Sequence, residues 1–144
     1  MFCLFVDFSK AFDSVQHHFI LYVLYKNEIR GNGFRVIRSM YSNLRSCVYT
    51  SQMRLSDYFD CTVGTRQGCM ISPLLFVLYL NELKEMLDNY NCKGIFVDPV
   101  IDNIVSLMYA DDISCIAETV SRLQSQIDCI NDFCNKVGMK VNLN

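Results

Sequence analysis

The chain has no tryptophan, two prolines, two histidines and six glycines in 144 residues. It contains no low-complexity segment and no internal repeat of the kind that marks solenoids or arrays. No apolar run approaches the roughly 18 residues of a membrane-spanning helix. The longest, Leu74 to Leu80, is a core-helix length, so no membrane partner is expected. Eight cysteines (Cys3, Cys47, Cys61, Cys69, Cys92, Cys115, Cys129, Cys134) form no Cys-x-x-Cys pair, and the adjacent His17 and His18 have no cysteine near them. That argues against zinc and against a disulfide framework, and for reduced thiols in apolar surroundings. A basic surplus is also missing. The net charge of −2 speaks mildly against a free-standing nucleic-acid binder. Met1 to Val6 carries no basic leader and meets Asp7 at once, so an intracellular protein is expected, nucleus or cytoplasm left open.

What remains is a globular composition, 51% hydrophobic and 19% charged. The length fits one domain, which can bury roughly two-thirds of its unfolded surface. Charge is unevenly spread. Residues 26–66 carry seven Lys and Arg against three acidic residues, which on its own reads as a solvated helix face.

The pattern predicts a strand over Phe2–Asp7, a turn over Ser9–Ser14, and helices over about 17–27 and 33–43. Cys47–Gln52 and Ser56–Val63 are rich in β-branched and aromatic residues and read as a hairpin. After the loop Gly64–Gly68, Ser72-Pro73 reads as N-cap and first residue of a long apolar helix ending near Asn89–Gly94. Pro99 marks a loop. Val120, Leu123, Ile127, Ile130, Cys134 and Val137 step by three and four along a helix capped by Thr119 and ended by Gly138. A last strand is expected over Met139–Leu143. Strands and helices in this order predict an α+β arrangement, helices covering one face of a mostly antiparallel sheet.

The unusual stretch is Tyr109-Ala110-Asp111-Asp112, set between the apolar runs 104–108 and 113–117. Two adjacent carboxylates at a tight turn between apolar strands suit a divalent cation. Taken alone, an Asp-Asp turn is more often simply solvated. If the first strand lies beside this hairpin, Asp7 supplies a third carboxylate, enough for the two-metal geometry of phosphoryl-transfer enzymes. The Gly64–Gly68 loop and Ser72-Pro73 are, alone, an ordinary loop and helix start.

Four blocks in order carry a resemblance. Phe5-Val6-Asp7-Phe8-Ser9-Lys10-Ala11-Phe12-Asp13 resembles the first-aspartate block of reverse transcriptases. Arg66-Gln67-Gly68-Cys69-Met70-Ile71-Ser72-Pro73-Leu74-Leu75-Phe76 resembles their glutamine–glycine and serine–proline block. Tyr109-Ala110-Asp111-Asp112 is similar to their paired-aspartate signature, and Gly138-Met139-Lys140-Val141-Asn142 to the block after the last palm helix. The Arg-Gln-Gly form, with Asp13 after Ala11-Phe12, resembles non-LTR (LINE-type) retrotransposons more than retroviral enzymes.

The resemblance implies a right-hand polymerase palm built on a ferredoxin-like antiparallel sheet, with residues 28–66 as a fingers-side insertion. It implies an RNA-directed DNA polymerase joining dNTPs to a DNA primer on an RNA template, with two Mg²⁺ ions, for which Mn²⁺ can substitute. Asp7, Asp111 and Asp112 would be the catalytic metal ligands, joined by the backbone carbonyl of Phe8. Ser9, Lys10, Ala11, Phe12, Gln67 and Gly68 would meet the incoming nucleotide, Phe12 by excluding a 2′-hydroxyl. A core Phe at a turn is the equal alternative for Phe12. Arg66 and Tyr109 would serve template and primer, although Tyr109 also reads as a plain strand aromatic. In the family a His here is followed by Asp. His18 takes that second place, which leaves a helix-start or surface role for the His17-His18 pair.

Relative to the family, most of the fingers and all of the thumb are expected to lie outside these residues, so the chain reads as a single partial domain. Two other readings compete with the polymerase. A catalytically silent palm relic, or a nucleic-acid or protein-binding scaffold, fits the missing parts but leaves the three intact aspartates unexplained. A metal-dependent nuclease leaves the Gln67-Gly68 and Ser72-Pro73 block unexplained.

Overall fold

A computed structural model describes residues 1–49, 54–101 and 103–143. Strand β1 (Phe2–Val6) leads through a short 3₁₀ turn at Ala11–Asp13 into helices α1 (His17–Lys26) and α2 (Gly31–Tyr41). The two-residue strands β2 (Arg45–Ser46) and β3 (Phe59–Asp60) precede the long helix α3 (Ser72–Asn89). Then follow β4 (Ile95–Phe96), β5 (Asn103–Ile104), β6 (Ser106–Tyr109), β7 (Asp112–Ala117) and α4 (Val120–Val137).

Among the described residues the main sheet has the order β1-β7-β6, all antiparallel. Alternation sorts its side chains. Val6, Ile113, Cys115 and Ala117 are buried on one face, while Phe5, Leu107 and Tyr109 are exposed on the other. Burial of the first set sets the register, pairing Val6 with Ile113 and Leu4 with Cys115. Helix α4 packs on β1 and β7, and α3 packs between α1 and α4, so the helices cover one face as the pattern predicts. No helix among the described residues is long and apolar enough to cross a membrane.

Polar groups tie the helices together. The buried Tyr79 hydroxyl donates to Val137 O at 2.9 Å and accepts from Gln16 N at 3.3 Å, joining α3 to the end of α4 and the start of α1. Glu82, 2% exposed, takes Lys26 from α1 at 2.6 Å and Lys136 from α4 at 3.6 Å. The hydrogen bonds that Lys26 donates to Glu82 and then to Glu85 hold its ammonium well above the usual lysine range.

Several local expectations shift. Ser72 is the first residue of α3 and Ile71 takes the cap place. The Ser72 hydroxyl instead donates to Arg66 O at 2.8 Å, tying the helix to the preceding loop. In α4 the caps are as read: Thr119 accepts from Arg122 N at 3.3 Å, and Gly138 adopts φ +74° to close the helix. Its buried stripe is rotated, however. Val120 is exposed, whereas Phe133 and Gln126 are fully buried. Gln126 fits there because its amide donates to Lys93 O and Ile116 O.

The expected hairpin over Cys47–Val63 is reduced to β2, β3 and a bridge between Tyr49 and Leu55, and its tip falls outside the described residues. Val48, Tyr49, Tyr58, Phe59 and Val63 are exposed, so no core lies beneath them to extend the ladder. The final strand contracts to one bridge, Phe8 with Val141.

Burial of thiols and of Tyr79 has a consequence for pH. Desolvation raises the Cys115 thiol from 9.0 to about 11, Cys129 from 9.0 to about 12 and Tyr79 from 10.0 to about 12. A folded-state value above the unfolded one means the folded chain holds its protons longer. The associated stability is present below pH 9 and declines as pH rises toward 11–12. The thermal midpoint is therefore expected to fall steadily above pH 9, and less steeply in a Cys129→Ala variant. Equal slopes in the two chains would reject this cause.

Candidate active site

The paired aspartates sit where β6 turns into β7. Tyr109 pairs with Asp112, leaving Ala110 and Asp111 as a two-residue loop. Ala110 takes φ +53°, a left-handed conformation that matches the twist of a tight hairpin but costs a non-glycine residue roughly 1 kcal/mol. The loop projects Asp111 at the tip of the hairpin, with Asp112 beginning β7.

Asp7 follows the last paired residue of β1. Extending the Val6–Ile113 register by one step sets Asp7 opposite Asp112. Neighbouring strands run roughly 4.8 Å apart, and opposed residues share a face. Asp7, Asp112 and Tyr109 thus form a row across one end of the sheet, on the face away from the core. Asp7 and Asp112 are exposed and Asp111 is half-buried. No three ligating side chains among the described residues are gathered closely enough to hold a metal in this conformation. The donor set is nevertheless of hard carboxylate oxygens at an open edge, which suits Mg²⁺, an ion that keeps sites free for water and phosphate.

On the other side of Asp7 lies the chain after α4. Ser9 N donates to Lys140 O and Asn142 N to Asp7 O, each at 2.8 Å, flanking the Phe8–Val141 bridge. These bonds use Ser9 and Asp7, so the Phe8 carbonyl is not engaged by the bridge. The Phe8 ring is buried against Phe133, 6.5 Å between centroids. The Ser9 N–H is already committed to Lys140.

The 3₁₀ turn sets the next residues. Lys10 is exposed with φ +50°, and its carbonyl accepts from Asp13 N at 2.9 Å. Ala11 is turned into the core, so its methyl does not line an open surface. Phe12 is half-buried and stacks on Phe76 with centroids 4.2 Å apart.

Residues 63–67 are laid along this turn. Gly64 N donates to Val15 O and Thr65 N to Phe12 O, each at 2.8 Å. His17 Nε2 donates to Gly64 O at 2.8 Å, which gives the first of the paired histidines a structural task at the start of α1. A Cβ on Gly64 would meet Asp13 O at 3.1 Å, so the close approach and φ +91° both require glycine there. In consequence Gln67 reaches Asp13, Nε2 to Oδ1 at 3.4 Å. Gln67 and Arg66 line an open cleft of about 420 Å³ with Asp13 and Arg45. Gly68, at φ +76°, has open space where a side chain would be. Tyr109 is 83% exposed, with its ring free on the outer face.

Sequence reasoning did not single out Phe76, Ser72, Asp13 or Asn142 as parts of this region. Phe76 supports Phe12, Ser72 anchors the Arg66 loop, Asp13 meets Gln67, and Asn142 Nδ2 donates to Asp7 Oδ2 at 3.0 Å. All four lie inside the quoted blocks, but their partners are distant in the chain.

An antiparallel sheet with helices on one face and carboxylates at a hairpin end is consistent with the palm of a template-directed polymerase. A profile described as reverse transcriptase (RNA-dependent DNA polymerase) matches residues 1–144, and the chain belongs to this family. It is 31% identical over 137 residues to the Pol polyprotein of the R2DM retrotransposable element of Drosophila melanogaster, covering 95% of this chain and 12% of that protein. It is 28% identical to the corresponding R2 polyprotein of Nasonia vitripennis, covering 94% of this chain and 13% of the relative. The RNA-directed DNA polymerase of the mobile element jockey from Drosophila funebris is 26% identical, covering 96% of this chain and 15% of that protein. Among solved structures, the apo telomerase of Candida tropicalis, truncated from its C-terminal domain, has the same fold. It shows a TM-score of 0.75 and 18% identity, over 97% of this chain and 28% of that one. The chain thus spans a small part of these relatives' length.

Proposed function

We propose that the chain is the palm of an RNA-directed DNA polymerase and that nucleotidyl transfer takes place at the Asp7–Asp112 end of the sheet. The observation that carries this reading is the register: it sets Asp7 opposite Asp112, with Asp111 in the adjoining turn. Bound there, two divalent cations, Mg²⁺ with Mn²⁺ as a substitute, would supply Lewis acidity and neutralise phosphate charge. Asp7, Asp111 and Asp112 hold these ions, with the Phe8 carbonyl as a further oxygen. Cations held there would offset the mutual repulsion of the three carboxylates.

The other residues position substrates. The exposed edge of Phe12 lies beside the ribose and leaves no room for a 2′-hydroxyl. Gln67 and Gly68 meet the base and sugar of the dNTP, with Gly68 leaving space. Ser9, Lys10 and Ala11 shape the turn past which the triphosphate runs, Lys10 contributing charge. Arg66 contacts the RNA template and Tyr109 the DNA primer end. Residues 28–66 act as the fingers side of the domain.

The test is primer extension on an RNA template, with Mg²⁺ and with Mn²⁺. It uses the chain itself and a protein in which it replaces the matching segment of the Drosophila melanogaster R2 relative. Extension by the chimaera is expected, with little processive product from the chain alone. A folded but inactive chimaera would favour the silent-scaffold reading. Phe12→Val in the active protein is expected to raise ribonucleotide incorporation relative to deoxyribonucleotide by about tenfold, the scale of one or two groups in a steric pocket. An unchanged ratio would return Phe12 to a purely structural role.

A further inference from the structure

We propose that Asn142 is a positioning residue for Asp7, engaging one carboxylate oxygen so that the other is left for a divalent cation. This rests on the metal reading of the aspartates above.

Asn142 grips Asp7 twice. Its backbone N–H donates to Asp7 O at 2.8 Å, and its side-chain amide donates to Asp7 Oδ2 at 3.0 Å. The Phe8–Val141 bridge makes the two segments antiparallel neighbours, so Asn142 and Asp7 share a face. Asn142 therefore extends the row of Asp7, Asp112 and Tyr109 by one place across the sheet end. The segment reaches this position because Gly138 closes α4 with φ +74° and turns the chain back along β1.

The residue type fits the task. An exposed aspartate otherwise samples several rotamers, and ordering it opposes ion binding. A neutral amide donor orders one oxygen without bringing a competing cation, as lysine would, or a repelling carboxylate, as aspartate would. Outer partners of this kind orient ligating carboxylates, and their loss typically weakens metal binding 10–100-fold. The exposed setting places Asn142 at the lower end of that range. The backbone grip survives any non-proline substitution, so a side-chain change tests the amide alone.

The experiment is Mn²⁺ binding to the chain, followed by electron paramagnetic resonance, with melting curves of the metal-free proteins. Asn142→Leu, which keeps the branched side-chain shape and removes the donor, is expected to weaken Mn²⁺ binding about tenfold at an unchanged melting temperature. Asn142→Gln, which keeps an amide, is expected to recover most of that loss. Should Asn142→Leu fail to fold, Asn142→Ala gives the same readout without added apolar surface. Equal affinity in the donor-free and unsubstituted chains overturns the proposal, as does equal weakness in Asn142→Leu and Asn142→Gln. Absence of Mn²⁺ binding by the unsubstituted chain overturns the metal reading itself, and this proposal with it.

Discussion

Replacing Asp111 by asparagine is expected to reduce Mg²⁺-dependent primer extension by a factor on the order of 10²–10³, the scale of losing one preorganised charge-stabilising group. The substitution is nearly isosteric and removes only the negative charge. Asn tolerates turn conformations as well as Asp does, so the two-residue loop between Tyr109 and Asp112 is preserved. The melting temperature should therefore stay the same while activity is lost. That separation matters, because Asp111 lies next to Ala110, whose φ of +53° makes this turn sensitive to bulk. Asp7→Asn is expected to have a similar effect through its place opposite Asp112. The measurement is single-turnover extension in the active chimaera. Retention of full activity by Asp111→Asn would remove it from the set of metal ligands.

Phe76→Ala is expected to destabilise the fold by about 3–5 kcal/mol, the range for truncating a buried aromatic. Phe76 is 1% exposed, so little relaxation can fill the space it leaves. It also stacks on Phe12 at 4.2 Å, and such pairs contribute about 0.5–1.5 kcal/mol beyond buried area. Urea unfolding would measure the loss, and a value below about 1 kcal/mol would contradict the packing described. The milder Phe76→Leu, in a chain that stays folded, links packing to function. With the ring beneath it gone, Phe12 is less firmly held, and ribonucleotide discrimination should relax in the same direction as with Phe12→Val. A double-mutant cycle of the two positions reports the coupling. No coupling would mean that Phe12 is positioned by the 64–65 segment instead, through the bond from Thr65 N to Phe12 O.

Much of this architecture is legible in local pattern. Thr119 and Gly138 bracket α4 as read, because caps depend on residues within one turn of the helix end. Apolar periodicity likewise finds α1, α3 and the β6–β7 hairpin. Local reading fails where a side chain has a better distant partner. Ser72 looks like a cap, but its hydroxyl bonds to Arg66 O. Gln126 looks like a surface residue, but its amide meets two carbonyls in the core. Val120 looks like part of the buried stripe, but at the start of α4 it lies exposed. The 47–63 region has strand-forming residues, yet strand propensity expresses itself only over a surface to pack on. The short β4–β5 pair around Pro99 has too few residues to leave a periodic signal.

The candidate site divides in the same way. Local pattern picks out the candidate residues: adjacent carboxylates in a tight turn, a first-strand aspartate, and a Gln-Gly loop before a Ser-Pro helix start. These are local features, set by residue type and spacing. Which residues meet depends on long-range packing. It pairs β1 with β7, sets Asp7 opposite Asp112, stacks Phe12 on Phe76, brings Gln67 to Asp13 and lays Asn142 along Asp7. The physical reason is burial. Val6 and Ile113 must share the covered face of the sheet, and because strand side chains alternate, Asp7 and Asp112 are carried together to the open one.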